Sequence, residues 1–159
     1  MIKLSKFSSI FIANWKLNGN LAFIKEYYQK LLTNSNNCTI ICSPAVYLNL
    51  LQTNEKNLFF GAQDVSIYNE GAYTGEISAE MIKENKSNFC LVGHSERRQY
   101  LKETNETVRL KSINLINKNI VPVICVGETL EQKEKKITKS ILSKQLEDGL
   151  PDMSNYENT

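Results

Sequence analysis

The sequence lacks the features that mark several common classes of protein. No apolar run approaches the roughly 20 residues that a membrane helix needs, and the early run Ile10–Ala13 is too short for the core of a signal peptide. The 19 basic and 17 acidic residues give a net charge of only +2, so no strongly basic face for nucleic acid is expected. These absences favour a cytoplasmic protein that binds neither membranes nor nucleic acid.

Signatures of metal and nucleotide binding are also missing. The only histidine is His94, and the four cysteines, Cys38, Cys42, Cys90 and Cys125, form no C-x-x-C pair, which argues against the common zinc sites. No G-x-G-x-x-G, G-x-x-x-x-G-K-[ST] or G-x-S-x-G motif occurs. Three of the cysteines lie in or beside apolar runs, so we expect reduced, structural cysteines and a reducing compartment.

Five short apolar runs predict the strands of a parallel sheet. They are rich in Ile, Val, Phe and Cys and do not alternate with polar residues, which is typical of strands buried on both faces. The runs are Ser9–Ala13, Thr39–Ser43, Leu58–Ala62, Phe89–Val92 and Val121–Val126. The 159 residues suffice for a core, and no linker divides them, so residues 1–159 are predicted to form a single domain.

Amphipathic segments between the runs predict helices. Apolar side chains recur at helical spacing in three of these segments. They are Leu21, Ile24, Tyr28, Leu31 and Leu32 in the first, Val108, Leu110, Ile113, Leu115 and Ile116 in the second, and Ile137, Ile141, Leu142 and Leu146 in the third. The resulting order is five alternating strand–helix units of the α/β class. It fits either an open doubly wound sheet or part of an eight-stranded barrel, and periodicity alone does not separate the two.

Two residues just past the predicted strands could carry chemistry. Lys16 follows the first strand, at the edge where α/β folds bind ligands, and its ammonium suits an anionic or phosphorylated substrate. His94 follows the fourth strand, where Ser95 could cap a helix and Glu96 would favour the helix dipole. That helix end disfavours the imidazolium, and a neutral imidazole can donate a hydrogen bond to a carbonyl oxygen. A surface lysine and a core or capping histidine are the alternatives.

Two further loops invite an interpretation. After the fifth strand, Thr129 could cap the next helix and Glu128 could anchor a basic residue of another loop, so a structural role is expected there. The longest loop, residues 63–76, follows the third strand, and loops of this length in compact domains are usually functional. Ile67, Tyr68 and Tyr73, expected to be exposed, favour contact with another protein surface, the alternative being a loop folded back on its own domain.

Five loop segments together carry a family resemblance. In chain order they are Asn14–Gly19, Gly61–Asp64, Gly71–Glu76, Val92–Arg98 and Pro122–Glu128. Their order and spacing resemble those of the triose-phosphate isomerases, and they span nearly the whole chain. The resemblance implies a partial TIM (β/α)8 barrel of about five parallel βα units. It also implies an isomerase of glycolysis and gluconeogenesis that interconverts dihydroxyacetone phosphate and D-glyceraldehyde 3-phosphate through an enediolate.

The resemblance assigns roles to the loop residues. Lys16 would hold the substrate phosphate and stabilise the developing enolate charge, while Asn14 would orient this small phosphorylated three-carbon substrate. His94 would polarise the substrate carbonyl as a neutral imidazole, with Glu96 and Ser95 in support. Neither a metal nor a cofactor is implied.

The resemblance also implies a partner and a missing part. Residues 63–76 would form a homodimer by inserting Thr74 into a second subunit. The family's base is a glutamate in a Tyr-Glu-Pro-Val-Trp motif, which this sequence does not contain, and Glu157 does not lie in one. We therefore expect weak or no activity and marginal stability from these residues alone, since five strands leave two sheet edges unpaired. The alternatives are a non-catalytic interaction subunit and a phosphate-binding module derived from the same fold.

Overall fold

All five predicted strands are present and form one sheet. The computed structural model describes residues 2–30, 36–51 and 54–156. The strands are β1 (Ser9–Asn14), β2 (Asn37–Cys42), β3 (Leu58–Ala62), β4 (Phe89–Val92) and β5 (Val121–Ile124). Continuous apolar runs therefore located the strands to within two residues at either end.

The order of the strands identifies the architecture. The sheet runs β1-β2-β3-β4-β5, in the order of the chain, and every neighbouring pair is parallel. A doubly wound sheet reverses its strand order at a switch point, whereas a barrel adds each new strand on the same side. The described strands are thus five parallel βα units of a partial barrel, which resolves the alternative that periodicity left open.

The helices fill the connections between strands unevenly. The α-helices among the described residues are α1 (Leu21–Lys30), α2 (Ala79–Glu84), α3 (Ser95–Tyr100), α4 (Asn105–Asn117), α5 (Leu130–Glu134) and α6 (Thr138–Gly149). Short 3-10 helices cover Leu4–Lys6, Ala45–Leu50 and Met153–Tyr156. None of these helices combines the length and the apolar character that crossing a membrane requires. Leu31 and Leu32 of the first predicted stripe, and Glu157, lie outside the described residues.

The connection between β2 and β3 departs from strict strand–helix alternation. Its described residues form the 3-10 helix Ala45–Leu50 rather than the α-helix that alternation predicts. Leu48 and Leu51, three residues apart, are both buried. A spacing of three matches the three residues per turn of a 3-10 helix, so this shorter element buries both side chains.

The two faces of the sheet have different cover. On the outer face, Cys90 and Val92 of β4 pack with Val108 of α4. On the inner face, Ile40 and Phe89 form a second apolar cluster, which is covered by side chains that precede β1, namely Ile2, Leu4 and Phe7. The helical layer therefore lies outside the sheet, as a barrel requires.

Burial falls from the middle of the sheet to its edges. All four residues of β4 are buried, whereas Phe11 of β1 is 57% exposed. The prediction that every apolar run is buried on both faces is therefore wrong for β1, none of whose residues is buried. Among the described strands, β1 and β5 each pair with one neighbour only. Unpaired strand edges promote association between chains. The two edge strands therefore support the prediction that these residues alone are marginally stable, which stays a prediction.

The four cysteines are free, as the sequence predicts. Cys38, Cys42 and Cys90 are buried and Cys125 is half-buried. Burial raises the pKa of the Cys42 thiol to about 12, so its reactive thiolate is strongly disfavoured. The cysteines act as small apolar side chains of the core.

Candidate functional site

A pocket of about 430 Å³ opens where β1, β3 and β4 end. Four of the residues predicted from the sequence line it, namely Asn14, Lys16, His94 and Glu96. Because the carboxyl ends of parallel strands meet at one edge of the sheet, the loops after β1 and β4 come together although they are about eighty positions apart in sequence. The pocket is therefore a direct product of strand order.

Glu96 connects the two predicted chemical groups. Its Oε1 lies 2.8 Å from Lys16 Nζ, and its Oε2 lies 3.4 Å from His94 Nδ1. The hydrogen bond from Lys16 holds the pKa of the Glu96 carboxyl below its ordinary value, so this group is ionised near neutral pH. One carboxylate thus holds the lysine ammonium and lies beside the imidazole.

The residue that caps α3 is His94, so the prediction that Ser95 caps this helix was wrong. Ser95 is the first helical residue, whereas His94 has the extended backbone (ψ 144°) of an N-cap. His94 Nδ1 accepts a hydrogen bond from the Glu96 N–H at 3.4 Å. A nitrogen that accepts carries no proton, so a neutral His94 ring carries its proton on Nε2 and can donate from there. Glu96 lies in the first turn of α3, as predicted.

Backbone strain and a glutamine place Lys16. Lys16 adopts a left-handed backbone (φ 54°), and its N–H donates to Asn14 Oδ1 at 2.9 Å. Gln63 Nε2 donates to the carbonyl oxygens of Lys16, at 2.9 Å, and Cys42, at 3.1 Å. Sequence reasoning placed Gln63 in a motif without a role. The sequence did contain a signal for Gln63, namely a side-chain amide directly after the buried strand β3.

Aromatic packing anchors the loop that carries Lys16. Trp15 is buried, with ring centroids 5.1 Å from Phe23 and 5.3 Å from Tyr27 of α1. The Tyr47 hydroxyl donates to the Gly19 carbonyl oxygen at 3.1 Å. The edge-to-face contacts hold Trp15 in the core, so the backbone at the neighbouring Lys16 is firmly placed.

Beneath the pocket lies an ionic network that sequence reasoning missed, and two of its half-buried members, Asp64 and Arg97, also line the pocket. Lys111 Nζ of α4 lies 2.7 Å from Asp64 Oδ1 and 2.5 Å from Glu103 Oε1. Arg97 of α3 contacts the same two carboxylates, at 2.7 Å and 2.6 Å. The Lys111 and Glu103 side chains are only 5% exposed. The helical stripe predicted for this segment contained apolar residues alone, and a lysine offers no sequence signal for burial.

Burial and pairing act in opposite directions on the two carboxylates of the network. Burial raises the pKa of Asp64 above its ordinary value, against the lowering influence of Lys111 and Arg97. For Glu103, burial is the largest single influence and acts upward, but the hydrogen bonds from Lys111 and Arg97 together bring the pKa below its ordinary value. The two cations are therefore what keeps Glu103 ionised in the interior.

The long loop after β3 is pinned at its base and exposed at its tip. Asn114 Nδ2 of α4 donates to the Ile67 carbonyl oxygen at 2.8 Å. At the tip, the Tyr68 and Tyr73 rings stack with centroids 3.7 Å apart and interplanar angle 3°, and each residue is 42% exposed. Thr74 is exposed as well. The loop packs on its own tyrosines and still presents an aromatic surface.

The loop after β5 is structural in its contacts. Thr129 caps α5 through a capping box with Gln132, as the sequence predicts. Glu128 accepts a hydrogen bond from the Thr138 hydroxyl at 3.3 Å, so the prediction that it anchors a basic residue of another loop was wrong for the part of the chain that the structure describes. Gln145 of α6 bonds both the N–H and the carbonyl oxygen of Gly127, at 2.8 Å each. These contacts fix the turn to the helix that follows.

Comparison with known proteins gives the family. The family model described as triosephosphate isomerase matches residues 9–159. The triosephosphate isomerase of Buchnera aphidicola is 41% identical over 147 residues, which are 87% of this chain and 58% of that protein. That of Xanthomonas oryzae is 46% identical over 143 residues, covering 87% and 57%.

A solved structure agrees with this match. The crystal structure of triosephosphate isomerase from Bartonella henselae superposes with a TM-score of 0.81 at 34% sequence identity, covering 90% of this chain and 62% of that one. The chain thus spans between 57% and 62% of the length of these relatives. By sequence and by fold, the chain belongs to the triosephosphate isomerase family.

Proposed function

We propose that this chain supplies the lysine and the histidine of an isomerase that interconverts dihydroxyacetone phosphate and D-glyceraldehyde 3-phosphate, a step of glycolysis and gluconeogenesis. One observation carries the proposal: Lys16 and His94 contact the two oxygens of a single carboxylate, Glu96, in one pocket. Since the chain covers 58% of the Buchnera relative, the activity is proposed for the whole protein. Residues 1–159 would form one incomplete barrel domain, acting in the cytoplasm, where free cysteines are stable.

The chemistry assigned to the pocket is electrostatic. The Lys16 ammonium, half exposed, would attract the substrate phosphate and offset charge that develops on the enediolate. The Nε2–H of His94 would donate to the substrate carbonyl oxygen, which makes the neighbouring C–H more acidic. Asn14, which lines the same pocket, would orient the substrate between these groups. No metal or cofactor takes part in this proposal.

The proton transfer itself needs a base, which we do not assign among the described residues. A base must remove the proton from one substrate carbon and return it to the adjacent carbon. Glu96 is unsuited, because its Oε1 already accepts from Lys16, and that hydrogen bond lowers the pKa of the carboxyl and makes it a weaker base. A positioned base contributes about 10²–10⁴-fold in rate, so residues 1–159 without one should turn over slowly. Turnover by these residues at the rate of a longer relative would contradict this expectation.

A binding measurement tests the site without requiring turnover. Titration calorimetry with an enediolate-like phosphonate should show binding by the parent chain and a loss of about tenfold or more in affinity for Lys16→Met and for His94→Gln. Lys139→Met, which removes an exposed lysine of α6, is the matched control and should bind like the parent. Equal affinity for all four proteins would refute the proposed site.

We further propose that residues 63–76 mediate a homodimer, with Thr74 entering the partner. The exposed stacked pair Tyr68 and Tyr73 supports this proposal, because exposed aromatic side chains are enriched at protein interfaces. Analytical ultracentrifugation should find a dimer for the parent and a monomer for Thr74→Arg. The control Ser140→Arg, in exposed α6, should sediment like the parent. A dimer that survives Thr74→Arg would place the contact elsewhere.

A further inference from the structure

Lys111 is a buried lysine whose ammonium has a full set of partners. The residue is only 4% exposed, although lysine is among the residues most rarely buried. Its ammonium has three N–H donors, and three carboxylate oxygens lie within reach: both oxygens of Asp64, at 2.7 and 2.8 Å, and Glu103 Oε1 at 2.5 Å. Such complete pairing is what allows a buried ammonium to stay charged.

Arg97 closes the network so that its charges balance. Its NH2 group contacts Asp64 Oδ2 at 2.7 Å, and its Nε contacts Glu103 Oε1 at 2.6 Å. Two cations and two carboxylates therefore alternate in space, with no net charge. Removal of Lys111 alone would leave both carboxylates to share Arg97, with one negative charge uncompensated in the interior.

Asp64 and Arg97 line the pocket directly, and the backbone of α3 connects the network to His94. Arg97 follows Glu96, and its N–H donates to the His94 carbonyl oxygen at 2.9 Å. α3 has only six residues, far below the length at which a helix is stable by itself, so it depends on contacts with the rest of the fold. The same helix start holds the bond from the Glu96 N–H to His94 Nδ1.

We propose that Lys111 is a positioning residue for His94. It neutralises Asp64 and Glu103, so that both can hold Arg97, and Arg97 fixes the first turn of α3 in the register that caps on His94 Nδ1. Lys111 contacts neither Lys16 nor His94, so it would act only through this helix. The inference rests on the proposed role of His94 as the group that donates to the substrate carbonyl.

The single histidine of the sequence makes a direct test feasible. In ¹⁵N-labelled parent protein, the imidazole should give one acceptor-type resonance from Nδ1 and one N–H resonance from Nε2. In Lys111→Met the two resonances should move together, towards the averaged values of a free histidine, because the cap on Nδ1 is lost. The measurement follows the tautomer of His94 and not turnover. The role proposed for Lys111 can therefore be refuted while the proposed activity stands, and the activity can be refuted while that role stands.

Two companion variants make the result specific. Lys118→Met removes the lysine at the C-cap of α4, which pairs with Glu80 at the surface, and should leave the His94 resonances at the parent positions. The double variant Asp64→Asn with Lys111→Met removes one charge of each sign and should restore most of the parent spectrum. An unchanged His94 spectrum in folded Lys111→Met would overturn the proposal, as would a double variant that stays fully shifted.

A separate variant, Glu103→Gln, covers the case in which Lys111→Met does not fold. Glu103→Gln keeps the shape of the side chain and removes the charge that holds Arg97 Nε. It should shift the same two His94 resonances in the same direction, though less, since Asp64 still contacts Arg97. Parent-like His94 resonances in Glu103→Gln would reject the proposal in that case.

Discussion

The pocket and the network beneath it use the same pairing of lysine with carboxylate under opposite conditions of solvent. The Lys16 and Glu96 side chains are 51% and 45% exposed, whereas those of Lys111 and Glu103 are each 5% exposed. Water screens the first pair, so Glu96 can release Lys16 to an incoming anion at little cost. Burial keeps solvent from replacing either partner of the second pair, so this ion pair stays intact.

Under the proposed function, this difference separates the pocket that would bind substrate from the residues that would position His94. The exposed lysine can exchange one anion for another, as substrate binding requires. The buried lysine can only hold its partners in place, and Arg97 passes that constraint to the helix that begins next to His94. Mutations of the two lysines should therefore have opposite profiles, one in ligand binding and the other in stability.

The largest expected effect is on stability, from Lys111→Met. The change leaves Asp64 and Glu103 with Arg97 as their shared cation, and breaking a buried pair on one side costs about 3–5 kcal/mol in the free energy of unfolding. Urea denaturation followed by circular dichroism measures this loss. Lys16→Met, in the pocket, should lower the urea midpoint far less. Equal losses for the two variants would remove the distinction between the regions.

Next in size is the effect on stability of Gly93→Ala. Gly93 directly precedes His94 and packs against Val108 of α4. Gly93 follows β4 with a left-handed backbone (φ 68°), and an added Cβ would lie 2.6 Å from Val108 Cγ2 and 2.9 Å from the Arg98 guanidinium. Strained backbone and overpacking together should cost about 2–4 kcal/mol, measured by urea denaturation.

The matched control for this change is Gly127→Ala, after β5. An added Cβ there meets no atom within 4 Å, so stability should change little. A Gly93→Ala protein as stable as Gly127→Ala would show that Gly93 is not tightly packed against Val108 and Arg98.

The sequence predicted the pocket better than its support, for a physical reason. Lys16 and His94 lie two residues past the ends of β1 and β4, so local patterns locate them, and parallel strand order brings them together. The partners of Lys111 are not local, since Asp64 lies 47 positions away and the contact depends on how α4 packs. Neither the cap at His94 nor the 3-10 helix at Ala45–Leu50 follows from residue type alone.

A smaller effect is expected on proton binding in the pocket. In Lys16→Met the pKa of Glu96 should rise towards its ordinary value, because the hydrogen bond from Lys16 is the main cause of its lowering. A carboxyl whose pKa is lowered by folding adds stability above its unfolded pKa, and that contribution disappears as pH falls through the folded pKa. The parent should therefore lose more stability than Lys16→Met between neutral pH and pH values below the ordinary glutamate pKa. Carboxyl ¹³C titration by NMR measures the pKa of Glu96 directly, and an unchanged value would contradict the contact.

The smallest effect is expected for a third pair, Lys135 with Glu131 of α5, which extends the comparison to full exposure. Its Nζ–Oε1 distance is 2.5 Å, as short as in the buried pair, but the side chains are 62% and 74% exposed. If burial and not distance sets the strength of these pairs, Lys135→Met should cost only about 0.3–0.5 kcal/mol, and added salt should abolish the difference. Urea denaturation at low and high ionic strength tests both points. A cost close to that of Lys111→Met, or one that persists in salt, would mean that distance alone governs the pairs and that the two regions do not differ in kind.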